Sequence, residues 1–216
     1  MNVFCPRLHL KGNSNVKDSY HTLTKAPKAD APLIFAFHGT GDDKHQFFDL
    51  AQQLSPGAGV VSPRGNVSER GAERFFRRTG EGIYDMDDRA RRTETVAAFL
   101  ALHKAQHPAS LVYGFRYSNG ANILASVAIA NPDLFALIVL LHPLIPWEPA
   151  ANPPLSGKKV LITARKCDPI CPWPLSQRLI DWFAAQGAGV STHVHDGGHD
   201  LRQPELSARP TLFTAA

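Results

Sequence analysis

Cysteine is scarce. The 216-residue chain has three, Cys5, Cys167 and Cys171. An odd count without framework spacing excludes a disulfide scaffold and fits a reduced, cytoplasmic setting. Cys167 and Cys171 lack the partner Cys and His residues that a zinc site needs, so no metal is expected. Long apolar runs are also missing. The longest, ALIVLL at 136–141, is too short to cross a bilayer, and MNVFCPRLHL lacks the apolar centre of a signal peptide. Nor is there a strong excess of one charge: 23 Lys and Arg stand against 19 Asp and Glu, a net charge of +4. Arg70, Arg74, Arg77 and Arg78 are followed by Glu81, Asp85, Asp87 and Asp88, then by Arg89, Arg91 and Arg92. This interspersion points to a mutually paired surface and argues against a nucleic-acid groove. An anionic substrate or lipid headgroup stays open for the Arg74–Arg78 segment.

What is present is an alternation of strand and helix signals. LIFAF at 33–37 is a buried strand ending in a glycine turn, and HQFFDLAQQL at 45–54 has helical spacing. VVSPRG at 60–65 is a strand and turn, followed by an Arg/Gly/Asp-rich segment expected to form loop and rim. TETVAAFLALHKAQH at 93–107 is a helix stopped by Pro108. LVYGF is a strand, SNGANILASVAIA a helix, ALIVLLHP a strand apolar on both faces, and KKVLITA another strand. WPLSQRLIDWFAAQG at 173–187 is a helix with Gly187 past its end. VSTHVH at 190–195 is a strand, and a short helix is expected to close the chain. Such alternation predicts an α/β fold, a mostly parallel sheet with helices on both faces. The absence of repeats and linkers predicts a single domain over residues 1–216.

Ligands of open parallel sheets gather at the carboxyl ends of the strands. The residues there include Ser118 after LVYGF, Asp168 in CDPICP and His199 in DGGHD. A serine hydroxyl is a weak nucleophile and needs an adjacent base. His199 could take its proton, and Asp168 could hold the imidazole's tautomer. The Asn119 N–H, at the start of the following helix, and the Thr40 N–H, in the HGTG turn, are candidate donors to an oxyanion. Singly, each residue has a plainer reading. Ser118 fits a helix N-cap. Asp168 before Pro169 fits a turn. His199 is one of ten histidines. His38 and His142 fit packed or turn-fixing roles, and one of His193 and His195 should be exposed on an edge strand. The conjunction and the chain order carry the signal.

HGTGDD, SPRGN, RFFRRTGEGIYDM, YSNGANIL, HPLIP, DPICP and GGHDL together resemble the small bacterial carboxylesterase/phospholipase family of the α/β-hydrolase superfamily, over residues 20–207. The resemblance implies an α/β-hydrolase fold without a large cap or lid domain. It implies hydrolysis of short to medium carboxylic esters with neither metal nor organic cofactor, and often a homodimer. Ser118, Asp168 and His199 would be catalytic, with Thr40 and Asn119 forming the oxyanion hole. Loops carrying Phe75, Phe76, Ile145 and Ile170 would line the acyl pocket. Three places depart from the family pattern: Arg116 stands where the G-x-S-x-G elbow has its first glycine, FALIVLL stays apolar, and Arg165-Lys166-Cys167 precedes the acid. An arginine at 116 needs room, or must carry its charge outward along its stem. Facing the site, it would disfavour protonated His199 or bind an anionic part of the substrate. The alternative function is therefore a catalytically impaired fold serving as a small-molecule binder or scaffold.

Overall fold

Seven strands share one sheet. The computed structural model describes residues 19–151, 155–202 and 205. In chain order, β1 (Thr22–Lys25) and β2 (Leu33–Phe37) precede α1 (Phe48–Leu54) and β3 (Gly59–Pro63). Two short hairpins follow, β4 (Val67–Glu69) with β5 (Ala72–Arg74) and β6 (Arg78–Gly80) with β7 (Ile83–Tyr84). Then come α2 (Met86–Gln106), β8 (Val112–Tyr117), α3 (Asn119–Ala130) and, after a 3₁₀ turn, β9 (Leu137–Leu141). The order ends with β10 (Lys159–Arg165), α4 (Trp173–Ala185) and β11 (Gly189–His195). Within the seven-stranded sheet, of order β1-β3-β2-β8-β9-β10-β11, only β1 runs antiparallel to its neighbour, β3.

Successive side chains of a strand point to opposite faces, and the core divides accordingly. Leu33, Phe35, Phe37, Ile138 and Leu140 pack on one face with α2, α3 and α4. Ile34, Ala36, Phe115, Val139 and Leu141 pack on the other with α1. FALIVLL is thus sheet core: every residue of β9 is buried, as a central parallel strand requires. Among the described residues no helix is long and apolar enough to cross a membrane.

Some local expectations shift. The Arg-rich segment after β3 forms the two hairpins instead of irregular loop. Helix α2 starts seven residues before the apolar repeat, at Met86, because the Asp85 carboxylate accepts the Asp88 N–H and caps it. His193 and His195 are both half-buried. Residues two apart in a strand share a face, so alternation could not separate them, and their rings lie 5.2 Å apart. The expected closing helix lies largely outside the described residues.

The charge pattern is paired as anticipated. Buried Asp88 faces Arg77, Arg91 and Arg92. Burial raises its carboxyl pKa, but the Arg77 N–H and the Arg92 guanidinium bring it below the usual range.

Candidate active site

Strand β8 and helix α3 meet in a sharp turn at Ser118, whose backbone has φ 52° and ψ −123°. A non-glycine residue there is strained by about 1–3 kcal/mol. The turn is held because the Ser118 N–H donates to Leu141 O at 3.0 Å and Ser118 O accepts from Asn122 N–H at 3.0 Å. Gly120 permits the approach of α3: a Cβ there would sit 2.5 Å from His38 O. Ser118 precedes the helix but does not cap it with its side chain. Its Oγ lies 3.0 Å from His199 Nε2 instead.

His199 Nδ1 lies 2.8 Å from Asp168 Oδ2. The other oxygen of Asp168 accepts the N–H groups of Ile170 and Cys171 at 2.8 and 2.9 Å. The turn role and the histidine-orienting geometry thus occur together, one on each carboxylate oxygen. Burial raises the Asp168 carboxyl pKa, but the bonds from His199, Cys171 and Ile170 leave it below its ordinary value.

A second network backs His199. Its carbonyl oxygen accepts from Tyr117 Oη–H at 2.9 Å and from His142 Nδ1–H at 2.8 Å. His142 Nε2 lies 2.5 Å from Glu205 Oε1, and Glu205 Oε2 accepts from Arg165 Nη2 at 2.6 Å. Both ring nitrogens of His142 are thus engaged. Arg165, Glu205 and His142 form one row through the buried floor of the site, running toward Asp168. From the residues alone His142 reads as packed or turn-fixing, and no role is legible for Tyr117 or Glu205. Tyr117 is visible only as the first residue of YSNGANIL, and Glu205 lies outside the motifs.

Thr40 sits in the turn after β2. Arg74 Nη1 donates to its Oγ1 at 2.8 Å, and Gly41 N–H donates to Glu73 O at 3.1 Å. His38 is turn-fixing, accepting the Gly65 N–H on Nε2 at 2.8 Å. Asn119 Oδ1 accepts from Phe75 N–H at 2.9 Å. The Asn119 N–H is among the first of α3, which have no partner within a helix.

Ser118, His199, Thr40 and Asn119 open into a cavity of about 300 Å³. Ile170 lines it, but the other three expected pocket residues do not. Phe75 and Phe76 are fully buried core, stacked against Phe37 and Tyr84. Ile145 borders a separate groove beside Trp147 and Trp182. The hairpins bring polar groups to the cavity wall instead: Arg74, Arg78 and Tyr84, with Asn122 from α3. Asn122 Nδ2 donates to Tyr84 Oη at 2.7 Å, and its Oδ1 accepts the Leu144 N–H at 2.7 Å.

Arg116 carries no charge to solvent. It is fully buried and is not among the residues lining the cavity. Its Cζ lies 3.2 Å from the centre of the Phe37 ring, the cross-strand neighbour on the face covered by α3. Arg165, the other unexpected cation, is the buried partner of Glu205. Cys171 lies beside Asp168, and burial pushes its thiol up, away from the thiolate form. His142, Asp168 and His199 place three metal-ligand atoms within 4.8 Å, but each is already engaged in the hydrogen bonds above.

The chain is 35% identical over 175 residues to the candidate hydrolase MhqD of Bacillus subtilis (strain 168), covering 80% of this chain and 88% of that one. It belongs to the carboxylesterase family of α/β-hydrolases. Among solved structures, the Bacillus cereus carboxylesterase superposes with a TM-score of 0.83 at 32% identity, over 91% of this chain and 94% of that one. Atu2452 of Agrobacterium tumefaciens str. C58, of unknown function, superposes with a TM-score of 0.87 at 48% identity, over 93% and 98% of the two chains. No family model matches the sequence. The family membership and the mostly parallel sheet agree with the fold expected from the motifs, and the chain is a hydrolase of the α/β type.

Proposed function

We propose that this hydrolase is a serine carboxylesterase acting through an acyl-enzyme, with Ser118 as nucleophile, His199 as general base and acid, and Asp168 orienting the imidazole. The observation that carries the reading is the unbroken chain from Ser118 Oγ through His199 to Asp168, at 3.0 and 2.8 Å. Ser118 Oγ attacks the ester carbonyl as its proton passes to His199 Nε2. The oxyanion so formed accepts from the Thr40 and Asn119 N–H groups. His199 gives the proton to the departing alkoxide as the C–O bond breaks, leaving an acyl ester on Ser118. Water, deprotonated by His199, attacks that ester. Collapse of the second tetrahedral adduct releases the acid and restores the Ser118 hydroxyl.

A cavity of about 300 Å³ suits short to medium esters. The impaired-fold alternative drew on Arg116, and the burial of that side chain under α3 leaves the cavity free of it. A fluorophosphonate probe with mass-spectrometric mapping tests the reading. Labelling at Ser118, and loss of both labelling and ester turnover in Ser118→Ala, are expected. Absence of an adduct at Ser118 overturns it.

A further inference from the structure

The walls of the cavity are more polar than an apolar acyl chain requires. Arg74 is 4% exposed, yet it lines the cavity. It spends Nε on Phe76 O and on Glu69, and Nη1 on Thr40 Oγ1. Arg78, beside it, spends Nε on both Glu69 oxygens at 2.9 and 3.0 Å. Among the described residues, Nη2 of Arg74 and both terminal nitrogens of Arg78 make no hydrogen bond. Unlike the sealed nitrogens of Arg116, they are not closed off from the cavity. Two guanidinium groups thus share one carboxylate. Glu69 itself is not among the cavity-lining residues, and the acid that is, Glu81, is exposed.

We propose that the ester cleaved at Ser118 carries a carboxylate that docks on Arg78 and Arg74, so that the substrate class is half-esters of dicarboxylic acids. This rests on the serine-esterase reading. A carboxylate matches the planar guanidinium fork and supplies the acceptors these donors lack. An uncharged ester would cover the same donors and leave them without partners. Burial and the neighbouring Arg78 both lower the pKa of Arg74, a crowding of cations that a bound anion relieves. Because Arg74 also holds Thr40, the anion would sit beside the turn that offers an oxyanion donor.

The test compares monoethyl succinate with its uncharged isostere, ethyl 4-methylpentanoate, by acid release at fixed pH. The half-ester is expected to show kcat/KM higher by roughly tenfold or more, from charge-assisted hydrogen bonds. In Arg78→Gln that ratio should collapse, mainly through KM. A wild-type preference for the uncharged ester, or a ratio unmoved in Arg78→Gln, overturns the proposal. Calorimetric titration with succinate and with inorganic phosphate needs no turnover. Succinate binding that weakens in Arg78→Gln supports the site. Equal binding by both proteins, or tighter binding of phosphate than of succinate, overturns it. Arg78-dependent succinate binding without hydrolysis of either ester keeps the anion site and removes the esterase reading. Turnover of both esters without preference does the reverse.

Discussion

The guanidinium of Arg116 lies over the ring of Phe37, Cζ 3.2 Å from the centroid, with all three of its nitrogens buried and without a hydrogen-bond partner. A face-on cation contributes about 2 kcal/mol when desolvated, less than the several kcal/mol that burial of an ion costs. Burial accordingly lowers its pKa well below the usual guanidinium value. The strand order forces this position. Arg116 pairs with Phe37 on one side and Leu140 on the other, and α3 closes the face above.

Replacing Arg116 by methionine keeps the volume of the stem and removes the buried charge. Arg116→Met is expected to gain about 1–4 kcal/mol, a rise in Tm of several degrees for a chain of this size. Arg116→Gly removes the charge but opens a cavity under α3, so it should fall below Arg116→Met. Thermal and urea unfolding check both. A loss of stability in Arg116→Met would mean that the contact with Phe37 outweighs desolvation.

Gly120→Ala should harm both fold and site. Its Cβ would meet backbone atoms, His38 O at 2.5 Å and Phe37 O at 3.0 Å, which cannot rotate away. Overpacking of this kind costs about 1–3 kcal/mol. Pushing α3 from the β2 turn also moves Asn119 relative to Thr40. A kcat loss on the order of 100-fold is expected from a displacement of about 1 Å, measured beside Tm on a neutral ester.

Asp168→Asn separates folding from chemistry. An asparagine oxygen can still accept the Ile170 and Cys171 N–H groups, so the protein should stay folded, with Tm lowered modestly by the loss of the carboxylate charge. Its amide cannot hold the His199 tautomer. Ester kcat is expected to fall on the order of 10⁴-fold, as for the same change in a serine-protease triad. Equal activity of the two proteins would remove Asp168 from the mechanism.

Glu205 ties the backing network to pH. Burial raises its carboxyl pKa, but His142, Arg165 and the Arg202 N–H hold it far below the ordinary glutamate value. Asp168 is lowered as well. For a carboxylate whose folded pKa is depressed, the stabilisation is complete above the unfolded pKa. It is lost as pH falls toward the folded value. Tm should therefore decline as pH drops below about 5. Glu205→Gln should flatten part of that decline and cost about 3–5 kcal/mol of stability at pH 7, because buried Arg165 loses its counter-charge. A Tm–pH profile from pH 7 to 3 reads both effects.

The alternation of elements and the order of Ser118, Asp168 and His199 along the chain are legible in the residues alone. Those signals are local: LIFAF and LIVLL are apolar through and through, Ser118 follows β8 directly, and Asp168 and His199 lie in the short loops after β10 and β11. Strands in one parallel sheet end on the same side, so residues just past those ends gather along one rim. Which side chains share a face or a wall emerges only from the folded chain. Phe75 and Phe76 turn into the core while Arg74 and Arg78 line the cavity, because two hairpins form where the sequence shows only charge and glycine. His142 and Glu205, 63 residues apart, become partners through packing. Arg116 is buried because register puts it opposite Phe37 beneath a helix. Register and long-range packing are fixed by the sum of many weak contacts, and no short stretch of residues encodes that sum.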